Sequence, residues 1–156
     1  MAAPTFWAVS AIAGSSNADV TVTLPSTYAV DDIFLLVAVE RAQVSTGNVA
    51  GWTEIAQWDR STVSRYWLYG IRANSTTMTN PTFDRASTTA DVYAMVAAYK
   101  GCITSGTAWE VVGATAASTA LALSVPGITA LSTDSLIVVA VAGEDNNNAA
   151  IAVAGT

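Results

Sequence analysis

Ile33-Phe34-Leu35-Leu36-Val37-Ala38-Val39 is a run of seven apolar residues without a break. A strand with one face in water alternates apolar and polar residues, because successive side chains point to opposite sides of the sheet. An unbroken run therefore predicts a strand covered on both faces, by an opposing sheet inside and by something else outside, for which neighbouring subunits are the favoured cover. Leu136-Ile137-Val138-Val139-Ala140-Val141 has the same character. Val20-Thr21-Val22-Thr23-Leu24 alternates instead, which turns Val20, Val22 and Leu24 inward, and Leu121, Leu123 and Val125 follow the same rule.

Around these runs the helix signals are sparse. Thr, Val, Ile and aromatic residues recur in short stretches, and few segments carry Glu, Lys, Leu and Gln at helical spacing. Strands are expected at Phe6–Ala11, Val20–Leu24, Ile33–Glu40, Trp52–Trp58, Arg65–Ala73, Asp91–Lys100, Trp109–Gly113, Ala120–Val125 and Ser135–Ala142. Turn chemistry separates them at Gly14-Ser15-Ser16-Asn17, Thr46-Gly47-Asn48, Asn80-Pro81, Ser105-Gly106 and Glu144-Asp145-Asn146-Asn147-Asn148. The expected fold is all-β: an antiparallel, jelly-roll-like β-sandwich of about nine or more short strands. The 156 residues suit one domain with a core of its own. A weak internal repeat sets Leu24-Pro25, Asp32 and Phe34–Val39 beside Val125-Pro126, Asp134 and Leu136–Val141. Val153-Ala154-Gly155 echoes Val49-Ala50-Gly51, and the chain stops where the second copy would need its tryptophan. Either the protein ends there or the sandwich is cut short at its C-terminus.

Composition narrows the chemistry. Six Lys and Arg against twelve Asp and Glu leave a formal charge of −6, the wrong sign for neutralising phosphates, so a nucleic-acid partner is not expected. Histidine is absent, which removes Ser–His and Cys–His activation and the commonest zinc ligand. The lone Cys102 has no cysteine to pair with and reads as an incidental or buried thiol. Residues 1–16 lack the basic start and apolar core of a signal peptide. The longest uncharged stretch, Val111 to Thr133, is interrupted by Ser, Thr, Gly and Pro126, so no membrane span is expected.

Several phrases occur in a recognisable order: Leu24-Pro25, then Asp31-Asp32-Ile33-Phe34-Leu35-Leu36, then Gly51-Trp52-Thr53-Glu54-Ile55, then Arg65-Tyr66-Trp67-Leu68-Tyr69-Gly70. Pro81-Thr82-Phe83 and Ala97-Ala98-Tyr99-Lys100-Gly101 complete it. Over about residues 20–145 this resembles a β-sandwich module of bacteriophage virion proteins, found in capsid decoration proteins and tail fibres. The resemblance implies a framework and a virion setting, with no catalytic signature. In that framework Asp31-Asp32 suits a turn entering a central strand, and Gly51 suits a close approach that lets Trp52 cap one end of the sandwich.

The aromatic residues supply the candidate binding groups. Trp7, Trp52, Trp58, Trp67 and Trp109 with Tyr28, Tyr66, Tyr69, Tyr93 and Tyr99 could stack on sugars, anchor a subunit interface, or fill the core. Trp52, Trp58, Arg65, Tyr66, Trp67, Tyr69 and Trp109 are singled out as the interface or binding candidates. Arg65, Trp67, Tyr69 and Ile71 fall on one face of a strand and make it unusually aromatic. Glu40, Glu54, Glu110 and Glu144 show no spacing that marks a glycosidase pair. Asp31-Asp32 and the 144–148 cluster offer oxygen ligands, but neither matches a calcium loop, and turn formation accounts for both. No catalytic residue, metal or cofactor is expected. Ala, Ser and Thr make up about two-fifths of the chain, and small side chains lose little entropy in broad, flat contacts. The expectation is a non-enzymatic virion protein, made in the bacterial cytoplasm. It would be a capsid decoration (cement) protein bound to the major capsid protein or other virion proteins, and a homo-oligomer such as a trimer. The alternative is a tail-fibre or adhesin module that binds host-surface glycans.

Overall fold

The computed structural model describes residues 3–41, 46–60, 64–85, 90–110, 112–113, 127, 129, 134–142 and 149–152. Among the described residues there are eleven β-strands and no helix. They are β1 (Thr5–Val9), β2 (Ala13–Ser15), β3 (Val20–Thr21), β4 (Ile33–Arg41), β5 (Asn48–Val49), β6 (Thr53–Arg60), β7 (Ser64–Arg72), β8 (Thr82–Asp84), β9 (Val92–Lys100), β10 (Val139–Ala142) and β11 (Ala149–Ala152).

The apolar run of the sequence is β4, and it is the middle strand of the principal sheet, whose order is β1-β9-β4-β7-β6. β4 is paired antiparallel along its length, with β7 from Ile33 to Arg41 and with β9 from Ile33 to Glu40. Its entry is a turn in which Asp31 takes a positive φ of 74°. There the Asp31 N–H donates to Ala73 O at 2.9 Å and the Ala73 N–H donates to Asp32 O at 2.8 Å, which starts the β4–β7 ladder. Asp tolerates this left-handed conformation better than most residues. β1 and β2 lie end to end along the far side of β9, opposite Ala97–Lys100 and Val92–Ala94 respectively. Ser10 bridges the break between them: its N–H donates to Val96 O at 2.8 Å, and its Oγ accepts the Val96 N–H at 2.9 Å. The two strands thus form one edge.

A smaller sheet, β3-β8-β5, faces the principal one. Val20, Phe83 and Val49 of this sheet, with Val22 and Leu24, pack against Phe34, Leu36 and Ala38 of β4, Trp67 and Tyr69 of β7, and alternate residues of β9. Phe83 meets Trp67 with ring centroids 4.9 Å apart, inside the range of favourable aromatic pairs. This is the core of the expected sandwich, with the three alternating residues Val20, Val22 and Leu24 all buried in it. The opposite face of β4 is also covered, by the chain's own residues rather than by the expected neighbouring subunit. Ile33, Ala97 and Tyr99 are buried there under Cys102, Ala108, Leu136 and Val138. Arg72 fastens this second layer by donating to Ile103 O and, at 3.0 Å, to Gly106 O.

The strand expectations fail at informative places. Trp109, Glu110, Val112 and Gly113 are not in a strand. The run from Leu136 is not a second central strand: Leu136 and Val138 serve as the cover over β4 and β9, and only Val139–Ala142 pairs, with β11, as a separate two-stranded sheet. Similar apolar runs therefore have opposite roles, one enclosed and the other enclosing. Ala120–Val125 lies outside the described residues.

Leu36→Ala removes buried methyl groups from the sandwich core, and Ile33→Ala removes them from the outer layer. Each is expected to cost about 2–5 kcal/mol in denaturant unfolding. A loss below about 0.5 kcal/mol at Ile33, the ordinary size of a surface substitution, would contradict an enclosed outer face.

Candidate interaction surface

The period of two along β7 decides what its aromatics can do. Trp67 and Tyr69 face the small sheet, with exposures of 0% and 2%. They are core residues, which corrects their candidacy as interface anchors: the aromatic face read from the sequence is the inward one. Tyr66 points to the other side of the sheet, where it stands opposite Trp58 of β6, and both are half-buried. Trp109 also lies there, half-buried over Gly70, where an added β-carbon would stand 2.6 Å from its ring. Trp52 sits at the rim of the core, its ring 6.4 Å from that of Phe34, and its backbone N–H donates to Val49 O at 3.0 Å. Gly51 serves the turn through a φ of 79° rather than through close approach, since nothing lies within 4 Å of its missing β-carbon. Arg65 is engaged by Asp59, with Nε on Oδ1 at 2.7 Å and Nη2 on Oδ2 at 3.2 Å. This hydrogen-bonded pair lowers the Asp59 pKa and raises that of Arg65. The structure thus divides the seven candidates between the core, its rim and the outer face.

Three of the carboxylates make structural hydrogen bonds. Glu54 accepts the Tyr69 hydroxyl at 3.3 Å, Glu110 accepts the Ser135 hydroxyl at 3.0 Å, and Asp32 accepts the Ala29 N–H at 2.8 Å. Glu40 is fully buried in β4 opposite Arg65. Glu144 lies outside the described residues. Among the described residues no three His, Cys, Asp or Glu side chains converge as a metal site. Burial pushes the Cys102 thiol up, against a smaller opposing effect of the Arg72 charge, so it is protonated at neutral pH.

What the sequence reading passed over is an edge. Among the described residues, eight large apolar side chains are exposed, and five of them line the β1–β2 edge or its neighbour β9: Phe6, Trp7, Val9, Ile12 and Tyr93. Phe6 packs edge-on to Tyr99 at 6.0 Å. Trp7 is the residue at which the β1–β9 register shifts. Its indole N–H donates to Thr27 O at 2.8 Å, and Lys100 Nζ stands 3.3 Å from its ring centroid. The indole is therefore held in place while 47% exposed. At the β2 end, Ile12, Gly14, Ser15, Ser16, Asp91 and Tyr93 line a shallow groove of about 340 Å³. The signal for this edge was the uncharged Phe6-Trp7-Ala8-Val9 stretch; its position at the sheet margin is a property of the topology. No family model, curated protein or solved structure matches the chain.

The outer-layer tyrosine gives a pH test. Burial pushes the Tyr99 hydroxyl up to about 12 from its usual 10, and Tyr69 is raised by burial and by Glu54. A raised folded-state value adds stability that is complete below the unfolded value and is lost as pH rises through the folded one. The urea midpoint is expected to hold steady from pH 7 to 8 and to fall between about pH 10 and 12, less steeply in Tyr99→Phe. A midpoint unchanged across that upper window would contradict the enclosure of these tyrosines.

Proposed function

We propose that the chain is a non-enzymatic structural protein of a bacteriophage virion, a capsid decoration (cement) protein that stabilises the head by contact with the major capsid protein or other virion proteins. The observation that carries this reading is the concentration of exposed apolar side chains along one edge of a well-packed sheet. A rigid edge of this kind suits protein contact: aromatic and aliphatic anchors already held in position lose little entropy when a partner covers them. Binding to the assembled shell but not to its dissociated subunits would stabilise the particle by mass action, by about 2.7 kcal/mol per site at a hundredfold excess over Kd. The abundance of Ala, Ser and Thr supports broad, flat contact, and the net charge of −6 suits a basic patch on the shell.

A second reading is favoured by Trp7, an indole fixed by hydrogen bonding while half in solvent. Such a ring suits stacking on the apolar face of a sugar, as a tail-fibre or adhesin module would require. The two readings predict different places on the particle. Gold-labelled antibody to the chain should decorate phage heads in electron microscopy, and purified chain should co-sediment with heads. Label confined to the tail tip, together with a saturable change in tryptophan fluorescence on adding host polysaccharide, would overturn the decoration reading in favour of the adhesin.

A further inference from the structure

The two edges of the principal sheet are built differently. β6 carries Glu54, Asp59 and Arg60, and none of its large apolar side chains is exposed. Charges along an edge are the usual protection against unwanted strand contact. The other edge has no charged residue from Thr5 to Ser15, and presents Phe6, Trp7, Val9 and Ile12 at 40–47% exposure. Tyr93 extends this apolar strip. Its ring lies against Gly14, where an added β-carbon would stand 2.5 Å from Cδ1 and 2.7 Å from Cε1.

We propose that this edge is the contact between two copies of the chain, related by a two-fold axis that crosses it near Ser10, beside Val96 and about midway between Lys100 and Asp91. The charges at its two ends favour a second copy in this orientation. Lys100, stacked on Trp7, marks the β1 end, and Asp91, beside Tyr93 in the groove, marks the β2 end. A two-fold axis runs the two edges antiparallel and sets the Lys100 end of each copy against the Asp91 end of the other, whereas a parallel arrangement would face like with like. The area is also sufficient. At the exposures seen, the five side chains offer on the order of 400 Å² of apolar surface per copy. With the usual share of polar surface, that corresponds to roughly 1,300 Å² buried in total, within the range of stable interfaces.

The edge is interrupted at Trp7 and again between Val9 and Ala13, where the three residues Ser10, Ala11 and Ile12 oppose the two, Met95 and Val96, between Ala94 and Ala97. Bulges of this kind disfavour an extended ladder, so side-chain packing carries the contact and the assembly closes at two copies. A threefold assembly would need two different complementary patches on each copy. A second copy and the shell would cover the same edge, so the inference departs from the proposed function and shares with it only the treatment of this edge as a protein contact.

Sedimentation velocity on the purified full chain tests it. The wild type is expected to run as a dimer at about 50 µM, and Val9→Glu, which puts a charge from each copy into the apolar contact, as a monomer with unchanged circular dichroism. Lys100→Glu and Asp91→Lys should each weaken the dimer by about tenfold, and the double exchange should restore it to within about threefold. A wild-type monomer, a trimer, a dimer indifferent to Val9→Glu, or a double exchange no better than the single changes would each overturn the proposal. A dimer that fails to label phage heads counts against the decoration reading and supports this contact; a monomer that labels them does the reverse.

Discussion

The enclosure of β4 on both faces is the constraint on which the rest of the fold depends. Phe34, Leu36 and Ala38 point into the sandwich core, and Ile33, Leu35 and Val37 point the other way. A fully buried aliphatic or aromatic side chain contributes about 1.5–3 kcal/mol, so leaving either face of this strand in water would forfeit a large part of a marginal total. The small sheet answers one face. The other requires the segments around Cys102–Ala108 and Leu136–Val138 to return across the sheet, and Arg72 holds part of that return by bonding to two of its carbonyls. The three layers follow from one seven-residue stretch.

Much of this was legible in the residue order. The unbroken run at Ile33–Val39 announced a doubly covered strand, and the alternation at Val20–Leu24 assigned three core residues correctly. Asp31-Asp32 was readable as a turn because Asp is among the few residues at ease with positive φ. The two-residue strands β3 and β5 and the three-residue β2 and β8 were the hard cases, since pairing rather than local pattern defines such short elements. Leu136–Val141 misled for a related reason: composition marks a segment as buried but does not say whether it is the covered strand or its cover. Among the seven candidate residues, periodicity grouped Trp67 with Tyr69 but could not tell which side of β7 was the core. The β1–β2 edge was invisible for the same reason, because a strand becomes an edge only through the order of its neighbours.

The physical character of the chain follows this division. Its aromatics are spent mainly on the interior and on the outer layer, its carboxylates on turns and cross-strand bonds, and its thiol is kept protonated by burial. What remains available is an apolar margin on a stiff sheet, held in shape by the Trp7–Thr27 hydrogen bond and the Lys100 ammonium on the indole face. A margin of that kind recognises by area and shape. The decoration reading, the adhesin reading and the two-copy contact are three ways of covering it, and they differ in what lies opposite.

Native-state hydrogen exchange would probe the enclosure of β4 residue by residue. The backbone N–H groups of Leu35 to Val39, paired in the middle of the sheet and covered above and below, should exchange only through global unfolding, with the same free energy as denaturant unfolding. The amides of β1, on the margin, should exchange through smaller openings. If the β4 amides exchanged as readily as those of β1, the strand would not be the enclosed centre of the structure, and the three-layer account would fail.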